Sequence, residues 1–374
     1  MTHFSHSSQF HKILLIQSGT VRDIIRTLPI VNILRLRFPH AKIAWLASPE
    51  MIDFLNSYNI ADRLIVAKPS WYKKFCEIKM LRKKLQSFAP DLCLDLQGDL
   101  SGRLSSKLSG SDVRISIKAK RGHFLSQSKK PAQVENQLEK HLKMLEALDV
   151  VGASIDYDLP EIPLERREVG WVMRDLGLES TPFAMFSLGV QSNLRPWEID
   201  RYVLVAEHLW HTHHLRTVAV WQNKQDKKVA EKIVAEAGGM VALTPVLSAI
   251  QLTALARRTS VFVGTDNDFL HIAAAVGAPC IGVFCEENAR RDAPLCNNFQ
   301  AIKAAPCEPR WKRRGVKVGA SPVRIDNYTY DVIEVCNACE DILQPEFFHK
   351  PLPAVPPAQP EFPVGVPNGQ LVEV

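Results

Sequence analysis

The chain has 374 residues, too many for one ordinary core and enough for two domains of common size plus a tail. Hydrophobic residues at 46% and charged residues at 23% are the balance of a globular protein, and no run of 18 apolar residues is present, which excludes a helical membrane span. A formal charge of +6 is mildly basic, and with no helix-turn-helix, zinc-finger or RNP-like pattern beside it the charge does not point to nucleic acid. The N-terminus MTHFSHSSQFHK lacks the parts of a signal peptide, so the protein is expected in the cytoplasm, with residues 1–11 disordered. Short β-branched runs at Lys12–Ile16, Lys42–Ala47, Arg63–Ala67 and Asp91–Leu96 read as strands. Between the first two, Val21, Ile24, Ile25 and Leu28 recur at helical spacing, with Pro29 expected to kink that helix. The pattern stops near Asp158–Pro163, and a helix over Arg166–Leu176 follows.

A second series then begins, with strands at Phe183–Leu188, Thr217–Trp221, Met240–Leu243, Val261–Gly264 and Cys280–Phe284. Helices are predicted from Asp226, over Ser248–Arg257 and over Leu270–Val276. The fold class is therefore α/β, with two Rossmann-like doubly wound parallel-sheet domains, residues 12–164 and 165–349, facing a cleft. Ligands of such sheets bind beyond the carboxyl ends of the strands. Residues 350–374 are dense in proline and are expected to form a disordered tail.

No GxSxG elbow, P-loop or GxGxxG is present, which lowers hydrolase, kinase and dehydrogenase readings. What remains is polar residues just past strand ends. Ser18-Gly19-Thr20-Val21-Arg22-Asp23 leads into a helix whose N-terminal end attracts anions; Asp23 there either answers the helix dipole or serves as a general base. Arg195, in a loop after the first strand of the second series, can hold phosphate oxygens bidentately. Gly264-Thr265-Asp266-Asn267-Asp268, followed by His271, is either an anion or nucleotide site or an ordinary N-cap made by Asp266 or Asp268. Eight cysteines without a secretion signal read as reduced thiols; Cys336 and Cys339 form a lone CxxC, with Cys307 upstream, two ligands short of a metal site. The HTHH run from His211 to His214 reads as a solvated helix end. The basic runs Lys73–Lys84 and Arg310–Lys317 are solvated faces or contacts with an anionic lipid surface or acceptor.

Taken in order, these segments resemble glycosyltransferase family 9, the ADP-heptose:lipopolysaccharide heptosyltransferases, over roughly Lys12–Glu346. The resemblance rests on ILLIxSxxxxDxxxTLP at the N-terminus, Asp91–Leu104, Arg195-Pro196-Trp197, Trp221 with Asp226, and GTDxxxxHIAAAxGxP over Gly264–Pro279. It continues through Arg291 and Pro294 to Cys339, Ile342 and Pro345. It implies a GT-B architecture, transfer with inversion, and no required cofactor or metal beyond a nucleotide-sugar donor, most simply an ADP-sugar. By resemblance Asp23 is the base and Arg195, Asp226, Gly264, Thr265, Asp266, Asn267 and His271 hold the donor, while Arg26 and Gln97 are assigned to the acceptor. The partners implied are a lipid-linked glycan acceptor and peripheral contact with the anionic inner face of the inner membrane.

The family pattern breaks at three glycines, which are Arg22, Asp268 and Cys285 here, and at Ala132 and Asn136, where histidine and arginine are common. A carboxylate at Asp268 lying ~5 Å from a diphosphate at an effective dielectric of ~20 costs about 3 kcal/mol per unit charge, roughly a hundredfold in affinity. Three escapes are an Asp268 turned away as an N-cap, compensation by Arg290 or Arg291, or a DxD-like metal site. The alternatives to an active lipopolysaccharide-core heptosyltransferase are a scaffold or regulatory binder without donor binding and a transferase with a protein acceptor. Arg22 and Asp268 both projecting into the cleft is the arrangement expected of the binder.

Overall fold

The structure, a computed structural model, describes residues 10–117, 136–150, 154–179, 181–188, 197–284, 286–303 and 328–344. In the first half β1 (Lys12–Ile16), β2 (Lys42–Ala47), β3 (Arg63–Val66), β4 (Leu92–Asp95) and β5 (Val113–Ser116) form one sheet, ordered β3-β2-β1-β4-β5 and parallel throughout. Its helices are α1 (Val21–Arg37), α2 (Ile52–Ser57), α3 (Phe75–Phe88), α4 (Leu100–Ser109) and α5 (Gln137–Leu145). β1 is an unbroken apolar run because both faces of a parallel sheet are covered. Ile13 and Leu15 pack with α1, whereas Leu14 and Ile16 pack on the opposite face with Leu81 and Leu85 of α3.

The second half opens with α6 (Pro163–Asp175), started by a proline that needs no amide partner at that position. Its strands are β6 (Phe183–Ser187), β7 (Arg216–Val220), β8 (Val241–Leu243), β9 (Val261–Thr265), β10 (Cys280–Phe284) and β11 (Phe299–Lys303). They form a second all-parallel sheet ordered β11-β10-β9-β6-β7-β8. Around them lie α7 (Ile199–His213), α8 (Lys224–Glu236), α9 (Ala249–Ala256), α10 (Asp268–Ala275), α11 (Glu286–Asp292) and α12 (Tyr328–Leu343). In both sheets the chain starts at a middle strand, winds outward to one side, then crosses back. The two switch points therefore fall between β1 and β4 and between β6 and β9, the crevices where such sheets take ligands. Helices α1 and α10 pack together, and one apolar cluster runs from Ile24 and Leu28 of α1 to Phe269 and Leu270 of α10.

The sequence assigns no range to β5, β11, α2, α3, α4, α5, α11 or α12. α1 carries Pro29 in its interior and continues through it to Arg37. Of the stretch expected to be disordered, residues 1–9 lie outside the described residues and the last two are ordered: Phe10 is buried edge-on to Phe38 with ring centroids 5.4 Å apart, and the His11 amide donates to Asp91 Oδ2 at 2.7 Å. The proline-rich segment 350–374 and the basic run Arg310–Lys317 lie outside the described residues. Among the described residues no helix is long and apolar enough to cross a membrane.

Candidate active site between the two switch points

At the first switch point, the loop after β1 is tied to the loop after β4. Gln97 Oε1 accepts from the Ser18 amide at 3.3 Å and the Ser18 hydroxyl at 3.0 Å. Beneath it Asp95, fully buried at the end of β4, accepts from the Gly98 amide at 2.9 Å and the Ser116 hydroxyl at 2.7 Å. Burial raises its pKa against those bonds. Gly102 leaves room for it, since a Cβ there would lie 2.2 Å from Asp95 Oδ1. Asp23 is in the first turn of α1, where its Oδ2 accepts the Thr20 amide at 2.9 Å and a favourable dipole acts on the charge. A Cβ on Gly19 would fall 2.0 Å from the same oxygen, so this glycine is what lets the carboxylate fold back over the loop.

At the second switch point, Ser187 ends β6 and Asn267 follows β9. The Asn267 Nδ2 donates to Ser187 Oγ at 2.8 Å, while its Oδ1 caps α10 by accepting the Leu270 amide at 3.1 Å. The N-cap is thus Asn267, rather than Asp266 or Asp268, and Asp268 is the first helical residue. Gly264 is demanded by Ser187, whose Oγ would lie 2.2 Å from a Cβ there. Thr265 closes β9 half-buried and shares a side-chain hydrogen bond with the buried Tyr202.

The two switch points meet. Arg22 of α1 reaches Asp266 Oδ1 at 2.9 Å and Asp268 Oδ1 at 3.4 Å, and the Thr20 hydroxyl donates to Asp268 Oδ1 at 3.3 Å. One turn on, Arg26 donates to the Asp292 carbonyl at 2.8 Å and its Oδ1 at 3.0 Å, with His271 Nε2 3.5 Å away. His271 is buried, and burial pushes its pKa down to about 4, helped by the two arginines against Asp266. It is a neutral imidazole near pH 7. Burial works against the charge of Asp266, but His271 and Arg22 outweigh it and hold its pKa low. For Asp268 burial prevails, reinforced by Asp23, and raises its pKa in spite of Arg22. The cation opposing Asp268 is therefore Arg22; Arg291 is engaged with Asp292 at 2.7 Å.

Of the remaining expected residues, Asp226 is buried in the first turn of α8, accepting from Asn223 Nδ2 at 2.8 Å. Arg195, Cys285, Cys307 and Ala132 lie outside the described residues. Asn136 caps α5 and its Nδ2 donates to the Ala293 carbonyl at 3.1 Å, a further link between the halves. Burial pushes the Cys336 thiol up to about 11 and raises Cys339 further, the reverse of what thiolate ligands need. Two residues of this region were not singled out from sequence. Asp292 holds Arg26. His141 is buried with its Nε2 3.1 Å from the Leu96 carbonyl, and burial takes its pKa to about 4. Its signal was available, since His141 falls on the apolar stripe of Leu138, Met144 and Leu145.

Two parallel α/β domains whose switch points face each other define the GT-B class of glycosyltransferase. The family model for glycosyltransferase family 9 (heptosyltransferase) matches residues 78–317, more than half of the chain, and the protein belongs to that family. Among solved structures, a family 9 glycosyl transferase from Veillonella parvula is 16% identical with a TM-score of 0.73, covering 91% of this chain and 99% of its own. The ADP-heptose lps heptosyltransferase II of E. coli is 18% identical with a TM-score of 0.69, covering 90% and 99%. E. coli heptosyltransferase WaaC with ADP-2-deoxy-2-fluoro heptose is 17% identical with a TM-score of 0.63, covering 79% and 93%. No curated protein sequence matches the chain.

Proposed function

We propose that this glycosyltransferase moves a heptose from ADP-heptose to a lipopolysaccharide or lipooligosaccharide core acceptor, with inversion at the anomeric carbon. The observation that carries the reading is the direct contact between the Asp23 loop and the Asp266–His271 turn through Arg22 and Thr20. A carboxylate on one domain and a helix N-terminus on the other are thereby brought to one place, as displacement of a nucleoside diphosphate requires.

Asp23 takes the proton of the acceptor hydroxyl. The hydroxyl oxygen forms the new bond to C1 from the face opposite the leaving group, the C1–O bond to the diphosphate breaks, and the electron pair leaves with ADP. The orientation of Asp23 is fixed by the Thr20 amide on Oδ2, and no partner of Oδ1 is found among the described residues. The departing charge is met by the amide end of α10, by Arg195 and by Arg22. Gly264, Thr265, Asp266, Asn267 and His271 shape the turn that receives the diphosphate, with Asp226 assigned to the nucleoside. Gln97 and Arg26 line the acceptor side, Arg26 acting from a buried position through Asp292. No metal or other cofactor takes part in this scheme.

ADP-heptose in the neighbouring WaaC structure, as its fluoro analogue, supports the choice of donor. The acceptor is met on the inner face of the inner membrane, to which α3 presents a basic and apolar face. Calorimetric titration with ADP-heptose tests the reading: saturable binding that weakens on Arg195→Ala is expected. Absence of binding to ADP-heptose and to every other nucleotide-sugar would return the chain to the scaffold alternative.

A further inference from the structure

The histidine-rich end of α7 takes no part in the transfer scheme, yet only part of it faces solvent. His211 and His214 are exposed, whereas His213 is turned inward, so the expectation of a solvated run fails there. The reason is α12. The two helices run side by side: near the start of α12, Asp331 accepts from the buried Arg201 guanidinium and from Trp197 Nε1. Nine residues further along α12, Glu340 reaches His208 and His213, nine or so residues further along α7. Both helices rise about 1.5 Å per residue, so this match in register is what a parallel pair produces.

There the Glu340 Oε1 is 3.0 Å from His208 Nε2 and 3.3 Å from His213 Nε2, and the three ligand atoms lie within 4.8 Å of one another. The imidazole rings are 5.8 Å apart at 73°. Both Nε2 atoms are closed to solvent, and neither makes a hydrogen bond among the described residues in spite of the short distances. The contacts are close but not aligned as ring N–H to carboxylate bonds, which leaves two nitrogen ligands and one oxygen converging without satisfying each other. Ligands of a tetrahedral zinc ion are about 3.3 Å apart, given bonds of about 2.0 Å, so the two nitrogen–oxygen distances already match an ion between them. Two imidazoles with one carboxylate favour a borderline cation such as Zn²⁺ over Mg²⁺ or Ca²⁺, which take oxygen ligands. Glu340 at 41% exposure leaves a route in and room for water at the fourth position.

We propose that His208, His213 and Glu340 form a zinc site that clasps α12 onto α7. α7 starts on the carboxyl edge of its sheet, and His208 is about 14 Å along it, so the site lies away from the cleft and is structural rather than catalytic. Untagged full-length protein, stripped with EDTA, exchanged into Zn²⁺ and dialysed, is expected to retain one zinc per chain by elemental analysis and to gain thermal stability on loading. His208→Ala and Glu340→Gln should each lose the ion and the zinc-dependent rise in Tm, while His211→Ala and His214→Ala keep both. Co²⁺ loading should give tetrahedral d–d bands without a thiolate charge-transfer band. Wild-type protein that retains no stoichiometric zinc, zinc retained by Glu340→Gln with native circular dichroism, or a thiolate band implicating Cys336 and Cys339 would each overturn the proposal.

Discussion

Arg22 and Asp268 stand at positions where the resemblance leads one to expect glycine, and they answer one another across the contact of α1 and α10 at 3.4 Å. Without Arg22, Asp268 would be a nearly buried carboxylate with only the Thr20 hydroxyl against its charge, a costly arrangement; Arg22 pairs with it and, more closely, with Asp266. Sequence alone exposes both substitutions but not their pairing, because residues 246 positions apart carry no local signal of contact. The sequence offered Arg290 or Arg291 as the cation that compensates Asp268 and counted Arg22 against donor binding, whereas Arg22 is the residue that pairs with it. The local balance is still acidic, since Arg22 and Arg26 lie among Asp23, Asp266, Asp268 and Asp292. Asp268→Gly is therefore expected to strengthen ADP-heptose binding by about tenfold, less than the hundredfold of a bare carboxylate because Arg22 already offsets part of it. Arg22→Gly should weaken binding, and the double variant should fall between the two. Calorimetry on the four proteins measures the coupling, and an Asp268→Gly affinity equal to wild type would show that the carboxylate does not face the diphosphate.

Helix α3 tests the membrane proposal by itself. Phe75 and Met80 are 76% and 56% exposed, beside exposed Lys73, Lys74, Lys79, Arg82 and Lys83. Each basic residue near an anionic surface adds about 1 kcal/mol, and the two apolar side chains can enter the headgroup layer. Cosedimentation with phosphatidylglycerol-containing vesicles should fall steeply in Phe75→Ser and in Lys79→Glu with Lys83→Glu, and should be absent for neutral vesicles. Equal sedimentation of wild type and variants, or none for wild type, would remove α3 as the contact. The elements themselves were legible wherever burial imposes a long apolar run, as in β1, β2, β6 and β10. β11 escaped because it is an edge strand with Ile302 as its one buried residue, and β5 because only half of its residues are buried. α10 was read correctly as a helix but its cap was not, since Asp266, Asn267 and Asp268 are all good N-caps and only the fold chooses among them.

At the level of the whole molecule, the halves are joined by the Arg22 and Arg26 contacts on one side of the interface. Elsewhere the buried Glu165 accepts from Tyr58 at 2.7 Å and from Arg257 at 2.8 Å. His141 and His271 lie buried near Arg26, each with its pKa lowered to about 4 from 6.5, by burial above all. The unfolded chain then binds protons that the folded chain refuses. These groups leave stability unchanged above pH 6.5 and remove it as pH falls from about 6.5 to 4, by about 3 kcal/mol each. Denaturant titrations over that range should show a shallower loss for His141→Gln and for His271→Gln, and unchanged slopes would mean that the buried imidazoles are not refusing protons. The fold was readable because parallel sheets write their strands as apolar runs, and two such sheets imply a shared cleft; the side chains that meet across it, Arg22 and Thr20 with Asp266 and Asp268, were not, because they lie far apart in sequence. The central claim is that Asp23 and the α10 turn form one transferase site. It is tested most directly by following ADP release from ADP-heptose with a lipid-linked core acceptor in wild type and Asp23→Asn. Acceptor-dependent release that Asp23→Asn abolishes while leaving donor affinity nearly intact is the predicted result, and full activity in Asp23→Asn would contradict it.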